Sequence, residues 1–171
     1  MKDVVILYND CCVYEIANTN YYLRYSGADV VFAGLEAGPV RSMEGYSLNT
    51  DVTLDTLDLS EVRSLILPGG SVQNIRTEAL RQAVQRVYAE GKLVAAICAA
   101  VDIIDEAGIL ENVRSTHITD ADYVRDKNVI TARANAYVDF GIEIAKYLDL
   151  FSDEADLNET VAFWKYFKRL Q

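Results

Sequence analysis

Proline is nearly absent from this chain: two residues in 171, beside nine glycines. That leaves no Pro- or Gly-rich linker, and no low-complexity tract or internal repeat divides the sequence. One domain is the organisation expected for this length, spanning 1–171, with 152–171 as an additional C-terminal helix. Cysteine occurs three times, an odd count that does not suggest a disulfide framework. A single histidine and no C-x-x-C spacing leave no credible metal cluster. Neither G-x-G-x-x-G nor a P-loop occurs, so no cofactor is expected.

Positive charge is also in short supply. Sixteen Lys and Arg face 26 Asp and Glu, for a net charge of −10 and a pI near 4.5. Nucleic-acid binding needs clustered basic residues, so it is excluded, as is an anionic membrane surface. The longest apolar run, Leu93 to Val101, is nine residues, whereas a membrane span needs about 20. The start, "MKDVVILYND", holds too short an apolar segment for a signal peptide. A cytoplasmic protein is expected, acting on a small-molecule or peptide-like substrate.

What is present is a regular alternation. "VVILY", "DVVFAGL", "VRSLILPGG" and "KLVAAIC" are continuous apolar runs, as strands buried on both faces require. "VRSTHIT" and "NVITAR" are read as two further short strands, and the segment from Gly38 to Asp58 as irregular β structure. Between the runs lie helical patterns. "TEALRQAVQRVYAEGK" places Leu80, Val84 and Val87 on one face; "AYVDFGIEIAKYLDLF" does the same with Val138, Ile142 and Ala145. The first helix should turn Ile16, Tyr22 or Leu23, and Tyr25 inward, and the tail helix Val161, Trp164 and Phe167. Strand–helix alternation implies a mostly parallel sheet with helices on both faces. Ligands bind such sheets beyond the carboxyl ends of the strands.

That rule singles out "KLVAAICAAVDIIDEAG". Cys98 falls where a buried strand turns into a helix, among the small residues Ala96, Ala99 and Ala100. A strained strand-to-helix turn needs small neighbours. The helix N-terminus would lower the thiol pKa and offer N–H groups to an oxyanion. The competing reading is a buried hydrophobe, the commonest fate of a lone cysteine. Three other strand ends bear on the choice. Gly69 and Gly70 of "LPGG" bring bare backbone N–H groups towards the thiol, or form an ordinary tight turn. Glu15, just past the first strand, faces the same crevice or lies on the surface. His117, the sole imidazole, is the available partner for a Cys–His pair, or is structural. Cys11 and Cys12 are incidental loop thiols, or one of them resolves an oxidised Cys98.

Together "LILPGG", "VAAICAA…EAGIL", "STH" and "VITARANAYVDFGIEIAKYL" resemble the ThiJ/PfpI family of the class I glutamine amidotransferase-like superfamily, from about Asp3 to Leu150. The resemblance implies a flavodoxin-like three-layer α/β sandwich with a cysteine nucleophile elbow, commonly a homodimer. It implies Glu15 beside the sulfur, His117 after the elbow helix, oxyanion donors at Gly70 and Ala99, and Arg133 near the site. Two departures stand out: Ala100 replaces a usual glycine, and Asp102 adds a carboxylate that opposes a thiolate. Three functions follow. The first is a cysteine-dependent hydrolase, amidase-like or aldehyde-processing enzyme. The second is a redox sensor that works through Cys98 oxidation. The third is a non-catalytic scaffold of the same fold.

Overall fold

The computed structural model describes residues 1–169. Its centre is built from the apolar runs. β1 (Lys2–Leu7), β2 (Asp29–Gly34), β6 (Val62–Leu67), β7 (Leu93–Ile97) and β9 (Val129–Ala132) are the main strands. Short β5 (Val52–Thr53) and β8 (Tyr123–Asp126) close the two edges, giving the order β5-β2-β1-β6-β7-β9-β8. A separate hairpin pairs β3 (Val40–Arg41) with β4 (Ser47–Leu48). The seven-stranded sheet is parallel except for β8, which runs against β9.

Register follows burial. Val4 lies between Val31 and Leu65, Ile66 beside Ala95, and Ala96 beside Thr131. Every residue of β7 is fully buried. A buried aliphatic side chain of this kind contributes about 1.5–3 kcal/mol. One charge sits inside as well. Asp3 is wholly buried at the start of β1, where it accepts hydrogen bonds from the Arg63 guanidinium and from Ser64 Oγ at 2.7 Å.

Helices cover the sheet. α1 (Ala17–Tyr25) packs on α4 (Tyr137–Tyr147), and α2 (Glu78–Ala89) packs on α3 (Ala100–Glu106). Thr77 caps α2 by accepting from Leu80 N–H at 3.2 Å, and Leu80, Val84 and Val87 are fully buried beneath it. α1 and α4 approach closely at Gly141, where a Cβ would lie 3.1 Å from Thr19 N and from Tyr22 Cε2. The fold is therefore a mostly parallel, flavodoxin-like α/β sandwich. The strand order reverses between β1 and β6, so a crevice opens at their carboxyl ends.

Several expectations need correction. Val113–Thr119 is not a strand but a run of turns. Its hydroxyls explain why: Thr119 Oγ1 donates to Ser115 C=O at 3.0 Å and Ser115 Oγ accepts from His117 N–H at 3.3 Å, so local bonds outcompete a ladder. The partner of β9 is β8, reached through a hairpin with Lys127 at φ +51°. The first helix opens as a 3₁₀ turn at Tyr14–Ile16, and Tyr25 is 81% exposed rather than inward. The tail helix α5 (Glu154–Tyr166) packs through Val161 and Trp164. Phe167 ends it in the left-handed region and is exposed, so the expected third member of the stripe is not packed. The last two positions of the expected tail helix lie outside the described residues.

Candidate active site

Cys98 directly follows β7 and has φ +59°. A non-glycine residue there costs about 1–2 kcal/mol, so its surroundings must hold it. They do so from both sides. Cys98 N–H donates to Ala132 C=O at 2.9 Å, tying it to the end of β9. Its own carbonyl accepts from Val101 N–H at 3.2 Å as α3 begins. The side chain is left half-buried, at the carboxyl edge of the sheet.

Gly69 lies opposite. A Cβ on this residue would meet Cys98 Cβ at 2.6 Å, Glu15 Oε2 at 2.8 Å and Cys98 Sγ at 3.1 Å. The sulfur and the carboxylate thus meet over the bare Cα of a glycine. Glu15 is fully buried in the 3₁₀ turn after β1, and its Oε2 accepts from Gly69 N–H at 2.7 Å. Burial pushes the Glu15 carboxyl up, against the downward pull of that N–H. Burial also pushes the Cys98 thiol up, and the Glu15 charge adds to it; the Ala99 N–H pulls the other way. The lowered thiol pKa expected at a helix N-terminus is therefore not found. Desolvation and two nearby carboxylates, Glu15 and Asp102, push the thiol up instead, and the helix that follows Cys98 has only seven residues.

Gly70 has φ +119°, and a Cβ there would fall 2.1 Å from Asp10 C=O. Only glycine fits. The "PGG" turn is pinned to the loop after β1: Cys12 N–H donates to Gly69 C=O at 2.9 Å and Ser71 N–H to Asp10 C=O at 3.0 Å. Gly70 N–H itself has no hydrogen-bond partner among the described residues. Tyr8, not anticipated from sequence, supports the turn from beneath: its hydroxyl lies 2.7 Å from Gly69 C=O and 2.9 Å from Pro68 C=O. Tyr14, equally unanticipated, reaches Glu15 Oε1 at 3.4 Å. Neither tyrosine belongs to a periodic pattern, and adjacency to Glu15 was the only signal for Tyr14.

The remaining candidates make contacts of their own. His117 Nε2 is 3.1 Å from Asp102 Oδ1 and Nδ1 is 3.5 Å from Asp105 Oδ2, so the imidazole is held by α3. Arg133 follows Ala132, but its guanidinium extends to Asp120 at 2.6 Å and Asp122 at 3.8 Å. Both contacts brace the 115–122 loop. Cys11 and Cys12 are buried beside the site. Cys12 Sγ is 3.7 Å from Met43 Sδ, and burial with the Glu15 charge pushes its thiol up to about 12. Among the described residues no set of three or more His, Cys, Asp and Glu could hold a metal ion, and no helix is long and apolar enough to cross a membrane.

The DJ-1/PfpI family model matches residues 1–147. The chain belongs to that family. It is similar to Deglycase PH1704 of Pyrococcus horikoshii, with 28% identity over 152 residues, 80% of this chain and 92% of the relative. Deglycase PfpI of Pyrococcus furiosus is 30% identical over 118 residues, 68% of this chain and 71% of the relative. Among solved structures, the DJ-1 superfamily protein Atu0886 from Agrobacterium tumefaciens superposes with a TM-score of 0.86 at 30% identity, covering 98% of this chain and all of that one. The family match stops at residue 147, short of α5.

Proposed function

We propose that this DJ-1/PfpI family member is a cysteine-dependent enzyme that acts through Cys98 on a small carbonyl substrate. The observation that carries the reading is the convergence of Cys98, held at φ +59°, with a fully buried Glu15 over Gly69. A strained nucleophile beside a desolvated carboxyl is an arrangement that stability alone does not require. The relatives named deglycases support hydrolytic or aldehyde-directed chemistry.

In this reading the resting thiol keeps its proton, because its pKa is raised. As Sγ bonds to the carbonyl carbon, the Glu15 carboxylate takes the thiol proton. The C=O π pair moves to oxygen, which Gly70 and Ala99 N–H stabilise. Return of the proton to that oxygen gives a hemithioacetal from an aldehyde; for a 2-oxoaldehyde, removal of the C1 proton and its delivery to C2 then gives a 2-hydroxyacyl thioester, which water cleaves to the 2-hydroxy acid with release of the thiol. For an amide, collapse expels the amine and leaves a thioester for water to cleave. No proton step is assigned to His117, held by Asp102 and Asp105, or to Arg133, held by Asp120 and Asp122. The small residues Ala99 and Ala100 around the elbow fit a small substrate.

Turnover of a small 2-oxoaldehyde such as methylglyoxal tests this. Cys98→Ser should abolish product formation, and Glu15→Gln should lower it by about 10²–10⁴. Full turnover in Cys98→Ser would refute the role. A second reading is favoured by the same carboxyl: burial raises its pKa, and a protonated Glu15 would donate a hydrogen bond to a Cys98 sulfinate formed by peroxide, as in a redox sensor. Peroxide-dependent mass gain at Cys98, without turnover of any carbonyl, would select it.

A further inference from the structure

Glu15 is fully buried, and its carboxyl has two oxygens to satisfy. Oε2 accepts from Gly69 N–H at 2.7 Å, at the glycine that also faces the sulfur. Oε1 accepts from the Tyr14 hydroxyl at 3.4 Å. The tyrosine itself gains little from this contact, because it is 45% exposed and water can reach it. The carboxyl gains more, since a buried charge is costly unless donors surround it. The contact therefore serves Glu15 rather than Tyr14.

Tyr14 is fixed from two sides. Its backbone N–H donates to Glu44 Oε1 at 3.0 Å. Glu44 stands on the turn between β3 and β4, and that turn is tied to the loop after β1 by Met43 N–H, which donates to Cys11 C=O at 2.9 Å. The Tyr14 ring meets Tyr137, the first residue of α4, edge-on at 5.8 Å and 85°. A phenylalanine would make the same edge contact, so packing does not call for the hydroxyl. The groups around Glu15 do. Burial pushes its carboxyl up and the Glu44 charge adds to it, while Gly69 N–H, the Cys98 thiol and the Tyr14 hydroxyl pull it down. Tyr8 and Cys12 face Glu15 as well, and its charge helps push both of them up. Asp102 acts on the sulfur side, at Cys98.

We propose that Tyr14 is a positioning residue for Glu15: its hydroxyl and Gly69 N–H each hold one carboxylate oxygen, so that the carboxylate is kept beside the sulfur as a proton acceptor. The assignment rests on Cys98 and Glu15 being the reacting pair, but its test needs no turnover. Protein labelled with carbon-13 at the glutamate carboxyls is titrated by NMR, and the Glu15 signal is the one lost in Glu15→Gln. Tyr14→Phe keeps the ring against Tyr137 and removes only the donor. The Glu15 midpoint should then rise by about 0.5–1 pH unit, less than a full hydrogen bond to a charge would give because the contact is long. Replacing Tyr14 by 3,5-difluorotyrosine keeps the ring and strengthens the donor, so the midpoint should fall. Burial pushes the Tyr14 phenol up to about 12, so its hydroxyl stays a donor throughout the carboxyl titration. A ring that only packs would move the midpoint in neither variant. An unchanged or lowered midpoint in Tyr14→Phe, or a change of the same sign in both variants, overturns the proposal. In methylglyoxal turnover, the acid limb of kcat/KM should move to higher pH in Tyr14→Phe by the same amount as the Glu15 midpoint. Opposite midpoint changes in a protein without turnover would leave Tyr14 as the anchor of Glu15 and remove the enzymatic reading instead.

Discussion

Replacing Gly69 by alanine tests the site at its narrowest point. Gly69 does not have a left-handed backbone, so alanine can adopt its φ without strain. The cost is therefore steric. The new Cβ would lie 2.6 Å from Cys98 Cβ, closer than real Cβ contacts come, and 2.8 Å from Glu15 Oε2. Overpacking of this kind costs about 1–3 kcal/mol. At roughly 2–4 °C per kcal/mol for a chain of this size, the midpoint should fall by about 2–12 °C. The wedge also separates the carboxylate from the sulfur, so the pH profile of Cys98 alkylation should move with it. Calorimetry and site-resolved alkylation by mass spectrometry read the two effects. Gly27→Ala supplies the control for backbone strain alone, since Gly27 has φ +78° and nothing within 4 Å of a built Cβ. A Gly69→Ala protein with both the wild-type midpoint and the wild-type alkylation profile would refute the argument, because sulfur and carboxylate would then not meet at this glycine.

Glu15→Gln should lower the apparent pKa of Cys98, since it removes the charge that helps hold the thiol up; an unchanged or raised alkylation midpoint would contradict this. The same variant tests linkage. The folded carboxyl is raised, so the native state binds the proton more tightly than the unfolded chain does, and native stability falls as pH rises from the unfolded carboxyl value through the raised one. Denaturant titrations should show the wild type losing stability relative to Glu15→Gln across that window; a flat difference would oppose it. Asp3→Asn should cost about 2–4 kcal/mol, below a fully buried pair because Arg63 is 31% exposed, with a lower urea midpoint at unchanged m. Cys11 and Cys12 should resist iodoacetamide in the native protein at pH 8 and react fully in denaturant, given their burial and the Cys12 thiol pushed up to about 12; native labelling as fast as a free thiol would place them outside the packed loop.

The strands were legible because a sheet buried on both faces writes itself as uninterrupted apolar runs, and each such run fell within or beside a strand. The centre of the site was legible for a related reason. Cys98, Gly69, Gly70 and Glu15 each follow a strand end, and in a parallel sheet all those ends lie on one edge, so topology alone brings distant residues together. What sequence could not supply was the balance of opposing effects at the sulfur. Helix polarity and Ala99 N–H favour the thiolate, while burial, Glu15 and Asp102 oppose it, and only their positions decide the outcome. The loop carrying His117 failed for a different reason. "VRSTHIT" has the β-branched content of a strand, yet the Ser115 and Thr119 hydroxyls satisfy nearby backbone groups, and propensity has no term for that competition. Asp102 ties the two failures together. Read in sequence, it is only a like charge beside a thiol. In the fold its carboxylate is also the nearest anchor of the imidazole, 3.1 Å from Nε2. One side chain therefore raises the cost of the thiolate and fixes the chain's sole histidine on α3. Any role for His117 at Cys98 must consequently begin with the loss of that contact, or act through it.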